Sequence, residues 1–100
     1  MTEPIEVVRS LEEHQGALES LGVQRIGVFG SQARGHGRAL SDVDVLVEFR
    51  PGQKTFDAYL DLKSYLETLF GRKVDLVIKE ALKEALRDQI LRETVYATFR

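Results

Sequence analysis

The sequence predicts an α/β (α+β) fold in which a small mixed sheet is covered by helices. Segments with apolar residues at helical spacing alternate with short runs rich in β-branched and aromatic residues. The chain has 100 residues, which is enough for one compact domain but not for two independent cores. Residues 1–100 are therefore expected to form a single domain. The strand order of the sheet cannot be read from the sequence.

The N-terminal segment is predicted to be one helix from Pro4 to Leu21. Thr2 is a candidate N-cap, and Gly22 follows the last residue, as is typical of a helix end. The apolar residues that repeat at helical spacing and predict one buried stripe are Ile5, Val8, Leu11, Leu18 and Leu21.

Two short strands are predicted next. The run VQRIGVFG, Val23 to Gly30, is rich in β-branched and aromatic residues and ends in glycine. The run DVDVLVEF, Asp42 to Phe49, is followed by the turn signal Pro51-Gly52. Both have the length expected of strands in a small sheet.

The C-terminal half is predicted to contain a helix, a strand and a second helix. Thr55 to Phe70 shows helical spacing and is stopped by Gly71, and Lys73 to Ile78 is the third strand. Glu80 to about Phe99 is predicted to be a terminal helix with a charged outer face. The apolar positions expected on one face of that helix are Leu82, Leu86, Ile90 and Val95.

The composition argues against several classes of function. The 14 basic and 16 acidic residues give a formal net charge of -2, so direct nucleic-acid binding is not expected. There is no cysteine, which excludes disulfides, thiolate catalysis and thiolate metal sites. The N-terminus lacks the basic start of a signal peptide, and no apolar run approaches the roughly 18 residues of a membrane span. A cytoplasmic protein without a membrane partner is expected.

Two acids, Asp42 and Asp44, open an otherwise apolar strand. Because side chains on a strand alternate between faces, both acids point to one exposed side, while Val43, Val45 and Val47 point to the core. Two carboxylates this close repel each other unless a cation or a basic group lies between them. Oxygen ligands of this kind suit magnesium or manganese.

The third strand carries a further acid, Asp75, between two core residues. If this strand lies beside the Asp42–Asp44 strand, three carboxylates converge. Such a cluster can bridge two divalent ions about 3.5 to 4 Å apart, the arrangement that stabilises the attacking and leaving oxygens in phosphoryl or nucleotidyl transfer. The pattern therefore predicts a two-metal site for Mg²⁺, with Mn²⁺ as the alternative.

The turn after the first strand predicts a phosphate site. A short helix is predicted to begin at Gly30 and Ser31. The free N–H groups of a helix N-terminus attract phosphate. Gly30 would let the backbone approach the anion, and the Ser31 hydroxyl and amide can both donate to it. Arg38, in the loop that follows, would lie near the same opening.

Each of these features also has an ordinary structural interpretation. Asp-x-Asp at a strand start is common in turns and on solvated faces, and Asp75 alone fits an edge acid paired with Lys73. Arg34 fits a surface salt bridge, and His14 and His36 fit ordinary surface histidines. The order of strand, Gly-Ser turn, Asp-x-Asp strand and single-Asp strand is far more specific than its parts.

The combined pattern resembles the DNA polymerase β-like nucleotidyltransferases. The matching residues are Gly30-Ser31, the ten-residue gap from Gln32 to Ser41, and Asp42-Val43-Asp44. The form GSQARG…SDVDVLV is similar to the minimal nucleotidyltransferase (MNT) branch of that family. The resemblance implies a polymerase β-like palm, with Asp42, Asp44 and Asp75 as catalytic and metal-binding carboxylates. It also implies nucleotide binding by Gly30, Ser31, Arg34 and Arg38.

The resemblance further implies a partner. Members of the MNT branch pair with HEPN-domain proteins in toxin–antitoxin modules, and some transfer AMP from ATP to a tyrosine of the toxin. The chain is therefore expected to use ATP, to act on a HEPN toxin, and to be compatible with a homo- or hetero-oligomer. The alternative is a non-catalytic antitoxin that inhibits the toxin by direct binding.

Overall fold

A computed structural model of the chain describes residues 4–30 and 42–100. The predicted residues Ser31, Arg34, His36 and Arg38 lie outside this described part. The described elements are α1 (Pro4–Glu13), α2 (Gln15–Ser20), β1 (Val23–Phe29), β2 (Val43–Phe49), α3 (Phe56–Phe70), β3 (Val74–Ile78), a 3₁₀ turn (Lys79–Ala81), α4 (Glu84–Glu93) and β4 (Val95–Tyr96).

The four strands form one mixed sheet in the order β3-β2-β1-β4. β1 is antiparallel to both β2 and β4, whereas β2 and β3 are parallel. Parallel neighbours need a crossover connection, and α3 provides it between β2 and β3. The predicted class, a small mixed sheet packed with helices, is confirmed.

Alternate residues of β2 lie in the core. Val43, Val45 and Val47 have no exposed surface, as the alternation of the sequence predicts. The buried residues that pack with them come from every layer of the fold and include Val8, Leu11, Leu18, Ile26, Val28, Leu62, Leu66, Val74 and Leu76. Helices α1, α2 and α3 therefore cover this face of the sheet.

The predicted helix from Thr55 to Phe70 is confirmed, and its two ends show why it begins and ends there. The Thr55 hydroxyl accepts a hydrogen bond from the Ala58 amide at 3.0 Å, which caps the first turn. Gly71 adopts the left-handed conformation at φ 65°, and its amide donates to the Glu67 carbonyl at 2.9 Å. The Thr55 cap fixes where α3 begins, and the Gly71 cap fixes where the chain leaves α3 toward β3.

The single N-terminal helix predicted from Pro4 to Leu21 is wrong, because the chain forms two helices that meet at His14. His14 has φ -108° and ψ 24°, outside the helical range. Gly16, a weak helix former, lies close to this break. His14 is half-buried rather than on the surface, and its ring contacts Tyr65 edge-on with centroids 6.2 Å apart.

The terminal helix predicted from Glu80 to about Phe99 is also wrong. α4 ends at Glu93, and the Thr94 hydroxyl donates to the Ile90 carbonyl at 2.6 Å. Val95 and Tyr96 then form β4, which pairs with Gly27 and Val28. The β-branched and aromatic residues of this segment favour a strand once an open sheet edge is available.

Val95 and Leu86, which the predicted helix would have placed on one apolar face, remain 40% and 50% exposed. Among the residues that the structure describes, no helix is both long enough and apolar enough to cross a membrane.

Candidate active site

The register of the parallel strands places two of the predicted acids side by side. Asp44 on β2 is the register partner of Asp75 on β3. Adjacent strands lie about 4.8 Å apart, and register partners project from the same face of a sheet. The predicted condition for a carboxylate cluster, that these two strands are neighbours, is therefore met.

The three acids differ in their surroundings. Asp42 lies just before β2 and is exposed, Asp75 is exposed, and Asp44 is half-buried rather than fully exposed. Within residues 4–30 and 42–100, no group of three or more His, Cys, Asp or Glu side chains is close enough to hold a metal ion. The backbone brings two carboxylates together, but the three side chains are not assembled as a cage.

Gly30 directly follows β1 and lies beside Asp44. Its φ is 72°, a left-handed conformation that glycine adopts without steric cost. A Cβ atom added at Gly30 would collide with the Asp44 Oδ2 atom and would lie 3.1 Å from the Asp44 Cγ atom. The glycine therefore makes room for the carboxylate, a role that the sequence pattern did not reveal.

The same turn is placed at the acids by the antiparallel pairing of β1 and β2. Phe29, the residue before Gly30, is the register partner of Asp44. The end of β1, the start of β2 and the start of β3 therefore meet at one end of the sheet. Ser31, Arg34 and Arg38, which were predicted to complete a phosphate site here, belong to the undescribed segment between β1 and β2.

Asp75 is an exposed acid on an edge strand, as its ordinary structural interpretation has it, but no ion pair among the described residues joins it to Lys73. Sequence reasoning also missed two side chains of α3, Tyr59 and Glu67, which contact the backbone of β3 on both sides of Asp75. Nothing in the sequence pattern indicates these contacts, because they depend on how α3 lies against the edge of the sheet.

A family model covers most of the chain. Residues 10–97 match the family model described as the nucleotidyltransferase domain. The chain belongs to this family and is a nucleotidyltransferase.

The chain is more narrowly similar to minimal nucleotidyltransferases. It is 44% identical over 92 residues to the protein adenylyltransferase MntA of Thermococcus cleftensis, covering 91% of this chain and 92% of that protein. It is 38% identical over 93 residues to a protein of Methanocaldococcus jannaschii also named as a protein adenylyltransferase, covering 91% and 94% of the two chains.

Solved structures show the same fold. A minimal nucleotidyltransferase structure superposes with a TM-score of 0.71 at 40% identity, covering 88% of this chain and 93% of that one. A Shewanella oneidensis complex of a tri-AMPylated HEPN toxin with its MNT antitoxin gives a TM-score of 0.64 at 20% identity, covering 93% and 73%. The second likeness, at this low identity, concerns the fold alone.

Proposed function

We propose that this chain transfers an adenylyl group from ATP to a tyrosine of a partner HEPN toxin and thereby acts as its antitoxin. One observation carries the proposal: Asp44 and Asp75 lie side by side on parallel strands, next to a glycine that clears space for Asp44. The 44% identity to a protein adenylyltransferase supports the choice of adenylyl transfer within the nucleotidyltransferase class.

In this reaction the tyrosine oxygen attacks the α-phosphorus of ATP. A bond forms between these two atoms, the bond from the α-phosphorus to the bridging oxygen of the β-phosphate breaks, and pyrophosphate leaves. A phenol has an unperturbed pKa of about 10, so its proton must be removed during attack. Asp75, exposed at the start of β3, is the proposed acceptor of that proton.

The same carboxylates are the proposed metal ligands. Proteins of this family generally use divalent metal ions, and the donors available here are carboxylate oxygens, which suit Mg²⁺ or Mn²⁺. Asp42, Asp44 and Asp75 would hold the ions, two being the number that the pattern predicts. Bound divalent ions would polarise the phosphate and offset the charge that develops on the leaving group.

Substrate phosphates are proposed to lie against the turn that follows β1. Gly30, Ser31, Arg34 and Arg38 are the residues proposed to bind them. Gly30 contributes by leaving the backbone accessible, because glycine places no side chain between the chain and an anion. Its position beside Asp44 would put the phosphates next to the carboxylates.

The direct test uses ATP labelled at one phosphate. The purified chain, a HEPN-domain partner and Mg²⁺ are incubated with ATP labelled at the α- or the γ-phosphate. We expect label on the partner from the α-position only, since adenylyl transfer retains the α-phosphate and releases the other two. Label from the γ-position would indicate a kinase and would contradict the proposal.

Two variants make the test specific. Asp44→Asn should lose labelling, whereas Asp61→Asn, which removes one exposed carboxylate from α3, should label as the wild type does. The second candidate function, inhibition by contact, predicts no label with either chain and equal inhibition of the partner by the wild type and by Asp44→Asn.

A further inference from the structure

β3 is an edge strand, so only one of its sides is held by the sheet. The Val43 amide of β2 donates to the Lys73 carbonyl at 3.0 Å. Because the N–H and C=O groups of successive strand residues alternate in direction, Lys73 and Asp75 direct theirs toward β2. Val74 and Leu76 therefore direct their backbone groups to the outer edge, where none of the described strands pairs with them.

Two side chains of α3 bind these edge groups. The Val74 amide donates to the Glu67 Oε2 atom at 3.0 Å. The Tyr59 hydroxyl donates to the Leu76 carbonyl at 2.8 Å. The two hydrogen bonds flank Asp75, one at the residue before it and one at the residue after it.

Glu67 also connects the end of α3 to the start of β3. Its carbonyl accepts the Gly71 amide at 2.9 Å, which closes the helix, while its carboxylate accepts the Val74 amide. The three residues between the helix cap and Asp75 are thereby held at both ends by a single residue. A hydrogen bond from an amide to a carboxylate is stronger than one to a neutral acceptor.

Asp75 needs this support because its own side chain is exposed and is not fixed by packing. Its position depends on the backbone of β3. We propose that Glu67 and Tyr59 are positioning residues, which hold β3 so that the Asp75 carboxylate stays in register with Asp44. This inference rests on the proposed function, in which Asp75 acts in the chemical step.

Neither residue is proposed to touch the substrate. The Glu67 carboxylate is occupied by the Val74 amide on the outer edge of β3, and the half-buried Tyr59 side chain bonds the Leu76 carbonyl there. Their effect should therefore appear in the rate of the chemical step rather than in the affinity for ATP.

The test compares Glu67→Ala with Glu67→Gln. Gln retains an oxygen that can accept the Val74 amide, whereas Ala does not. In single-turnover transfer to the HEPN partner, Glu67→Ala should lower the rate roughly 10- to 100-fold, the effect typical of residues that orient a ligand. ATP affinity should stay near that of the wild type, and Glu67→Gln should restore most of the rate. Asp61→Ala, which removes a carboxylate from the exposed side of α3, is the matched control and should be silent.

Amide hydrogen exchange gives a second measurement that needs neither partner nor nucleotide. The Val74 amide should exchange faster in Glu67→Ala than in the wild type, because its acceptor is lost, and should be protected again in Glu67→Gln. If the wild-type chain transfers no label to the partner, the proposed function is refuted. Val74 exchange would still report whether Glu67 holds the strand.

Wild-type transfer by Glu67→Ala would overturn the inference, as would unchanged Val74 exchange. Equal loss of rate in Glu67→Gln and Glu67→Ala would also overturn it, because the charge and not the hydrogen bond would then matter. If Glu67→Ala does not fold, Tyr59→Phe tests the inference instead. That variant removes only the hydroxyl that donates a hydrogen bond to the Leu76 carbonyl. A slower rate of transfer at unchanged ATP affinity supports the inference, and a wild-type rate refutes it.

Discussion

At the scale of single residues, Gly30 and Asp44 depend on each other. The carboxylate of Asp44 occupies the space into which a side chain at position 30 would project. The φ of 72° at Gly30 independently favours glycine. The sequence suggested glycine here for phosphate access, whereas the structure adds a reason that holds even without a nucleotide.

Gly30→Ala is therefore expected to damage both stability and activity. The left-handed backbone should cost about 1–2 kcal/mol, measured by urea denaturation. Displacement of Asp44 by the new methyl group should slow adenylyl transfer by roughly 100-fold, the effect of moving a catalytic group by about 1 Å.

Gly71→Ala separates these two effects. Gly71 has a similar φ of 65°, but a Cβ atom there would meet nothing within 4 Å. It should therefore show the loss of stability without the loss of transfer. If Gly30→Ala transferred as fast as Gly71→Ala, Asp44 would not depend on the space at position 30.

Asp75→Asn should lower the rate of transfer more than it lowers ATP binding. The proposed role of Asp75 belongs to the chemical step, and loss of a general base typically costs roughly 100-fold or more. Single-turnover labelling beside an equilibrium ATP-binding measurement tests this. Equal losses of rate and of affinity would instead assign Asp75 to ground-state binding.

At the scale of secondary structure, the sequence predicted the elements whose signals are local. β2 follows the alternation of Val43, Val45 and Val47, and α3 follows its cap at Thr55 and its stop at Gly71. The segment after Glu93 could not be predicted in the same way, because it becomes a strand only by pairing with β1. Helical spacing of apolar residues extended the predicted helix past its true end.

Gly27 permits that pairing and gives a test of it. A Cβ atom at Gly27 would lie 2.7 Å from the Thr94 Cγ2 atom and 2.8 Å from the Val95 carbonyl oxygen. Gly27→Ala should therefore push β4 from β1 and cost about 1–3 kcal/mol of unfolding free energy, as overpacking does. Denaturant unfolding monitored by circular dichroism measures the loss.

Gly16→Ala is the control for this experiment. Gly16 lies in α2, and a Cβ atom there would meet nothing within 4 Å. Alanine should stabilise that helix by up to about 1 kcal/mol. If the two variants changed stability equally, β4 would not be packed against Gly27 as described.

At the scale of the whole molecule, the candidate site arises where three strands meet. Gly30 directly follows β1, Asp44 lies near the start of β2, and Asp75 lies near the start of β3. The sequence identified all three residues, but their meeting depends on β2 and β3 being parallel neighbours. Strand order is set by packing across the whole chain, so local patterns predicted the residues and not their adjacency.

The contribution of α3 to the site belongs to this scale as well. For Tyr59 and Glu67, the sequence pattern indicates only that they belong to an amphipathic helix. Their contacts with Val74 and Leu76 depend on the angle at which α3 crosses the edge of β3. The distance between helix and strand is fixed by buried residues such as Leu62 and Leu66, which have no exposed surface.

We propose that the chain modifies a tyrosine of a HEPN partner. Intact-mass spectrometry of that partner, purified after co-expression with the wild-type chain or with the Asp42→Asn/Asp44→Asn double variant, tests it most directly. We predict one or more adenylyl-sized additions, mapped by peptide fragmentation to tyrosine, with the wild type and none with the double variant. An unmodified partner that is inhibited equally by both chains would show that inhibition does not depend on transfer and would assign it to contact.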